Sequence, residues 1–109
     1  GDGSGASGTG AGAGLARPSL RLSGAITNRD YPAKARRANA QGVVAVTYIA
    51  GIDGRAHDCT IARSSGNDAL DAQTCALIEK RFRFRPARDA AGRPVAETRG
   101  WQQRWWFAQ

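Results

Sequence analysis

The sequence predicts a small α+β domain in two layers. It should hold a three-stranded antiparallel sheet, with room for a fourth strand, and two helices on one face. Three observations carry this expectation. The stretch Gly42 to Ile52 is rich in β-branched residues, with Val44, Val46 and Tyr48 alternating with Val43, Ala45 and Thr47. That is the period of a strand with one face turned inward. Asp53-Gly54 follows directly, the strongest hairpin signal in the chain. Beyond Asp68, Leu70, Thr74 and Leu77 form one stripe, and Cys75, Ile78 and Phe82 its neighbour. Spacings of three and four give a helix one broad apolar face, and strands mixed with helices in this way define the class.

The elements follow in order. Residues 1–14 hold seven of the 14 Gly in the chain, and a Gly/Ala/Ser stretch of this kind is a flexible linker. Residues 1–19 are therefore expected as linker and 20–109 as the domain. Leu20, Leu22 and Ile26 stand at even spacing, a weak first strand. Pro32 suits a first helical turn, and Asp30 a capping or dipole role. Ala33 to Gln41 is then a short helix, stopped by Gly42. After the hairpin, Arg55 to Arg63 returns with Ala56, Cys59 and Ile61 as apolar members. Its imperfect period points to a bulge near Asp58. Asp68 and Asp71 resemble a weak capping box. The second helix should end at Pro86. Gly92-Arg93-Pro94 is a turn, and Val95 to Phe107 a last strand. In it Val95, Trp101, Trp105 and Phe107 share one parity, and Gly100, Gln102, Arg104 and Trp106 the other.

The chain has 109 residues and a formal net charge of +7. That length gives one domain. With no Met and a Gly1 start, it reads as a piece of a longer protein or a processed form. No apolar run is long enough for a membrane helix. A basic balance attracts nucleic acid, anionic lipid or acidic partners, but 14 of the 16 cations are Arg spread along the chain, so charge alone decides nothing. Cys59 and Cys75, with His57 the single histidine, fall short of the four ligands of a structural zinc site. Two buried thiols or one disulfide remain. Cys75 should face the sheet where Cys59 lies, which favours the disulfide and an oxidising compartment.

Catalytic chemistry finds little support. Ser64 or Ser65 with His57 as base lacks a nucleophile elbow, and serines before a helix ordinarily serve as caps. Gly51 to Arg55 lacks the lysine and spacing of a phosphate loop. No enzyme, cofactor or metal is expected. The alternating run Arg81-Phe82-Arg83-Phe84-Arg85 could stack bases and neutralise phosphates, so a basic nucleic-acid-binding domain is the alternative reading. No companion signature supports it. The three Trp within six residues at the end of the chain suit equally an edge strand that takes an extended peptide or rings that merely cover the end of a helix.

The ordered set of motifs resembles the TonB C-terminal domain family over about residues 26 to 107. The matching pieces are Tyr31-Pro32 followed by Ala33 and Ala35, Gly42 with Val44, Val46 and Tyr48, and the Asp53-Gly54 hairpin. Ser64-Ser65-Gly66 before Leu70-Asp71, Phe84-x-Pro86-Ala87 and Gly92-x-Pro94-Val95 complete it. The Cys59 and Cys75 pair looks like a variant found in part of that family. The resemblance implies a periplasmic domain, tethered to the inner membrane by an upstream helix. It implies binding of the TonB box of an outer-membrane receptor by strand addition. With the motor proteins ExbB and ExbD, it implies use of the proton gradient to drive uptake of siderophores, haem, vitamin B12 or glycans. Members also form homodimers when truncated. On this resemblance the peptide-binding edge comprises Val95, Glu97, Thr98, Arg99, Trp101, Gln103, Arg104 and Trp106. A disulfide tying hairpin to helix would suit a force-bearing domain. The same fold serving another envelope machine or a sensor is a further alternative. Three departures stand out: Asn28-Arg29-Asp30 where well-known members carry Pro, Ala50 where a larger aliphatic is usual, and a Gly-rich rather than Pro-rich linker.

Overall fold

A computed structural model describes residues 15–107. The Gly-rich stretch up to residue 14, expected as linker, lies outside the described residues. In chain order the elements are β1 (Leu15–Arg17), β2 (Leu20–Ser23), a 3-10 turn (Asn28–Asp30) and α1 (Ala33–Arg37). Then come β3 (Gly42–Ala50), β4 (Ala56–Arg63), α2 (Asp68–Arg81), β5 (Arg83–Arg85), β6 (Ala87–Asp89), β7 (Pro94–Val95) and β8 (Glu97–Trp105). The main sheet is antiparallel, with order β4-β3-β8. Two small ribbons accompany it, β2-β5 and β1-β6-β7. The α+β class holds, with three strands in the main sheet.

The period-two reading of β3 is met residue by residue. Val44, Val46, Tyr48 and Ala50 are buried, while the alternate residues are partly or fully exposed. Against them lie Leu70, Leu77 and Ile78 of α2, with Tyr31, Ala35, Phe82, Phe84 and Trp105. The hairpin turns at Asp53-Gly54, where Gly54 takes φ +81°, a conformation open to glycine at no steric cost. The bulge falls where the broken period put it. Thr47 pairs with Thr60 but Ile49 with His57, and Asp58 adopts φ 53°. The disulfide Cys59–Cys75 joins β4 to α2, with Cα atoms 5.5 Å apart.

Four expectations need correction. The first strand is two short strands rather than one, and Leu20 and Leu22 are 48% and 61% exposed. These strands pair with β6 and β5, outside the main sheet, and their pairing begins at Leu15, within the stretch assigned to linker. α1 stops at Arg37, well short of Gly42. Asn39 turns the chain with φ 54°, a conformation Asn tolerates at helix ends. Gly42 has another role, because a Cβ there would meet the Ser65 carbonyl oxygen at 2.8 Å. α2 begins on an Asn67 cap, whose side chain accepts from the Leu70 N–H at 3.0 Å, not on an Asp68–Asp71 box. It ends at Arg81 rather than near Pro86. Phe82 and Phe84 are both buried, which alternating extended backbone achieves, and β5 pairs with β2.

Candidate functional site

β8 is nine residues long, and all nine pair with β3, from Glu97↔Ala50 to Trp105↔Gly42. Among the described residues no strand pairs with its other side. A strand paired on one side only presents backbone N–H and C=O groups as a template for another chain. Its inward residues are pinned in turn. Trp105 is 1% exposed and donates its indole N–H to the Thr74 hydroxyl at 3.0 Å. The Trp101 ring stands edge-on to Phe82 at 4.9 Å. The Arg99 guanidinium lies 5.0 Å over the Phe84 ring. Glu97 accepts from the Ser19 N–H at 2.7 Å and from the Ser19 hydroxyl. The strand is thus anchored along one face while its outer edge has no partner strand.

The predicted edge residues divide accordingly. Glu97 and Arg99 are buried, so at these two positions the backbone alone is on offer, whereas Trp101 and Gln103 are half-buried. Thr98 and Arg104 belong to the opposite parity, with Arg104 exposed. Trp106 is 46% exposed, as its parity suggested, with the Arg104 guanidinium 5.4 Å from its ring. An open cleft of about 290 Å³ lies here, between Gln41, Val43, Arg104 and Trp106. Val95 is not on this strand. It sits on β7 and pairs with Ala87 of β6.

The motif residues build the scaffold. Tyr31 is buried, donates its hydroxyl to the Ala40 carbonyl and stacks on Phe107 at 5.0 Å. Pro32 stands at the N-cap of α1. Asp53 accepts from the Arg55 N–H at 3.0 Å and contacts His57 Nε2 at 2.8 Å. The Arg55 N–H and then His57 hold its carboxyl below the usual value. Asp71 accepts from the hydroxyls of Ser64 and Ser65 and from the Ser65 N–H, and Gly66 donates its N–H to the Ser64 hydroxyl at 2.9 Å. Burial of Asp71 would raise its pKa, but the Ser64 and Ser65 hydrogen bonds outweigh that and lower it. Leu70 and Ala87 are fully buried. Pro86 separates β5 from β6.

The serine–histidine and nucleic-acid readings lose their geometry. Ser64 and Ser65 donate to Asp71 while His57 meets Asp53, so no serine–histidine pair is assembled. Phe82 and Phe84 are 0% and 4% exposed, which removes the stacking platform a nucleic acid would need. Arg81 is committed to Asp30 through two hydrogen bonds of 2.7 and 2.8 Å. No local period marks Ser19 and Arg21, whose partners on β8 stand 78 to 80 positions away.

The fold and its edge define a small, disulfide-tied α+β domain whose longest outer strand is open on one side. The chain belongs to the family described as Gram-negative bacterial TonB protein C-terminal, whose model matches residues 27–107. The comparison with curated proteins gives no match. The family consists of periplasmic, non-enzymatic domains of transport machinery that interact with outer-membrane receptors.

Proposed function

We propose that this domain takes the TonB box of an outer-membrane receptor as an added strand along β8. Load then reaches the receptor through the domain, from an upstream part tethered to the inner membrane and driven by ExbB and ExbD. The uptake served would be that of siderophores or other nutrients. The observation that carries the reading is the edge itself: nine residues in continuous register with β3, fixed on the inward face and, among the described residues, unpaired by any strand on the other side. Strand addition draws affinity from main-chain hydrogen bonds, so a rigid, straight edge is the element it requires. On the face of β8 away from the core lie Thr98, Gly100 and Gln102, with the exposed Arg104 beyond them.

The test is an amide-resolved NMR titration with TonB-box peptides. Shifts concentrated in Glu97 to Trp106 support the proposal. An absence of shifts at millimolar peptide, for several boxes, overturns it.

A further inference from the structure

The first described stretch of the chain is held in an unusual way. All four residues of β2 are exposed, so apolar burial does not fix it. Two short ribbons do part of the work, β1 on β6 and β2 on β5. The rest falls to polar and cation–ring contacts on one strand. Ser19 is 6% exposed. Its N–H and hydroxyl both donate to Glu97 Oε1, and Arg99 Nη1 donates to its carbonyl and its hydroxyl oxygen, both at 2.8 Å. Two residues on, the Arg21 guanidinium lies 4.9 Å from the Trp101 ring and 5.0 Å from the Phe82 ring. Glu97, Arg99 and Trp101 are successive inward residues of β8. Residues 15–26 also lie outside the family match, which begins at 27.

We infer that Leu15–Ser23 is a strap that passes load from the upstream chain directly into the edge strand, with Ser19 as its positioning residue. Tension arriving from residue 14 meets the β1–β6 ribbon first, then the Ser19 clip on β8 and the β2–β5 ribbon. The clip delivers it to Glu97 and Arg99, on the strand that would carry the receptor peptide. β4 lies outside this path, because the sheet order puts it at the far edge from β8. The inference of a load path rests on the proposed function; the latch between strap and β8 does not.

Two measurements on the full chain test it, comparing the parent with Ser19→Ala and Glu97→Gln and using Leu22→Ser, at an exposed position, as control. In native-state hydrogen exchange, the amides of Leu20–Ser23 and of Glu97–Trp101 should speed up together by about tenfold or more in Ser19→Ala, which loses both hydrogen bonds of the hydroxyl, to Glu97 and from Arg99. Those of β4 should keep their rates. Faster strap amides with β8 unchanged would overturn the latch, and so would an equal rise over the whole domain. If Glu97→Gln fails to fold, the Ser19→Ala comparison still decides. In single-molecule pulling against a bound TonB-box peptide, load applied through residue 1 should rupture Ser19→Ala at lower force than the parent. Load applied through residue 109 should give no difference. Equal behaviour from both ends would overturn the load path. If the peptide does not bind, the proposed function falls and with it the load path, whereas the exchange result still decides the latch.

Discussion

The indole N–H of Trp105 donates to the hydroxyl of Thr74 at 3.0 Å, and that hydroxyl donates to the Leu70 carbonyl at 2.8 Å. Both residues are buried, at 1% and 0% exposure. One hydroxyl therefore ties the end of the edge strand to the middle of α2. Thr74→Val keeps the shape and removes the acceptor, leaving a buried indole N–H without a partner. Such a group costs about 1–3 kcal/mol. Denaturant titration should show a lower midpoint with an unchanged slope, and Thr74→Ser should recover most of the loss. A Thr74→Val midpoint equal to the parent's would show that the bond contributes nothing.

Much of the architecture was legible because it is local. β3 and the apolar face of α2 follow from periods of 2 and 3.6 within single windows, the hairpin from Asp53-Gly54, and the bulge at Asp58 showed as a break in the period of β4. Helix ends were harder. α1 stops early because Asn39 takes a positive φ, and α2 stops early because the Phe82 and Phe84 rings need alternating backbone to reach the core. The site was half legible. The parity of Trp106 was readable, but strand order is not written in any period, and Val95 continues the parity of β8 without belonging to it. The Ser19 clip was invisible, being a polar contact between segments at opposite ends of the domain.

Acid should destabilise the domain through Asp71 and Asp30. Burial opposes the charge on Asp71, and the Ser64 and Ser65 hydrogen bonds more than offset it. The Arg81 side chain, then the Thr27 N–H, lower Asp30. Both carboxyls thus have folded pKa values below the unfolded one, near ~3.9. The stability they contribute is complete above that value and is lost as pH falls through the folded values, where the unfolded state binds more protons. Asp71→Asn should cost about 2 kcal/mol at pH 7, the scale of hydrogen bonds to a charged group. It should also flatten the fall in stability between pH 5 and 2, with Asp30→Asn flattening it further. Parallel stability–pH curves for parent and variants would refute the assignment.

Reduction of Cys59–Cys75 should cost stability without touching the peptide edge. Closing a loop with a sequence separation of 16 stabilises by about 3 kcal/mol in the chain-entropy description. The bond ties β4 to α2, and β3 stands between β4 and β8. A Cys59→Ser/Cys75→Ser double variant should therefore melt about 12 °C or more lower, at 4–8 °C per kcal/mol for a domain of this size. Its peptide affinity, measured well below that melting point, should stay within about twofold, since no contact on β8 is lost. A large loss of affinity would mean that the two edges of the sheet are coupled.

Strand addition makes its own prediction about the peptide. Successive residues of a strand turn their N–H groups to opposite sides, so alternate N–H groups of a bound peptide would bond β8 and the others would face solvent. Methylating one peptide nitrogen at a time removes one donor and adds bulk at that site. Affinity should fall at every second position, by about tenfold where a main-chain bond is lost, and hold at the positions between. Isothermal titration over a run of six nitrogens reads the pattern directly. Losses that track side-chain identity instead of position would point to the cleft beside Arg104 and Trp106 as the recognition site, and β8 would then be a wall of that cleft and not a template.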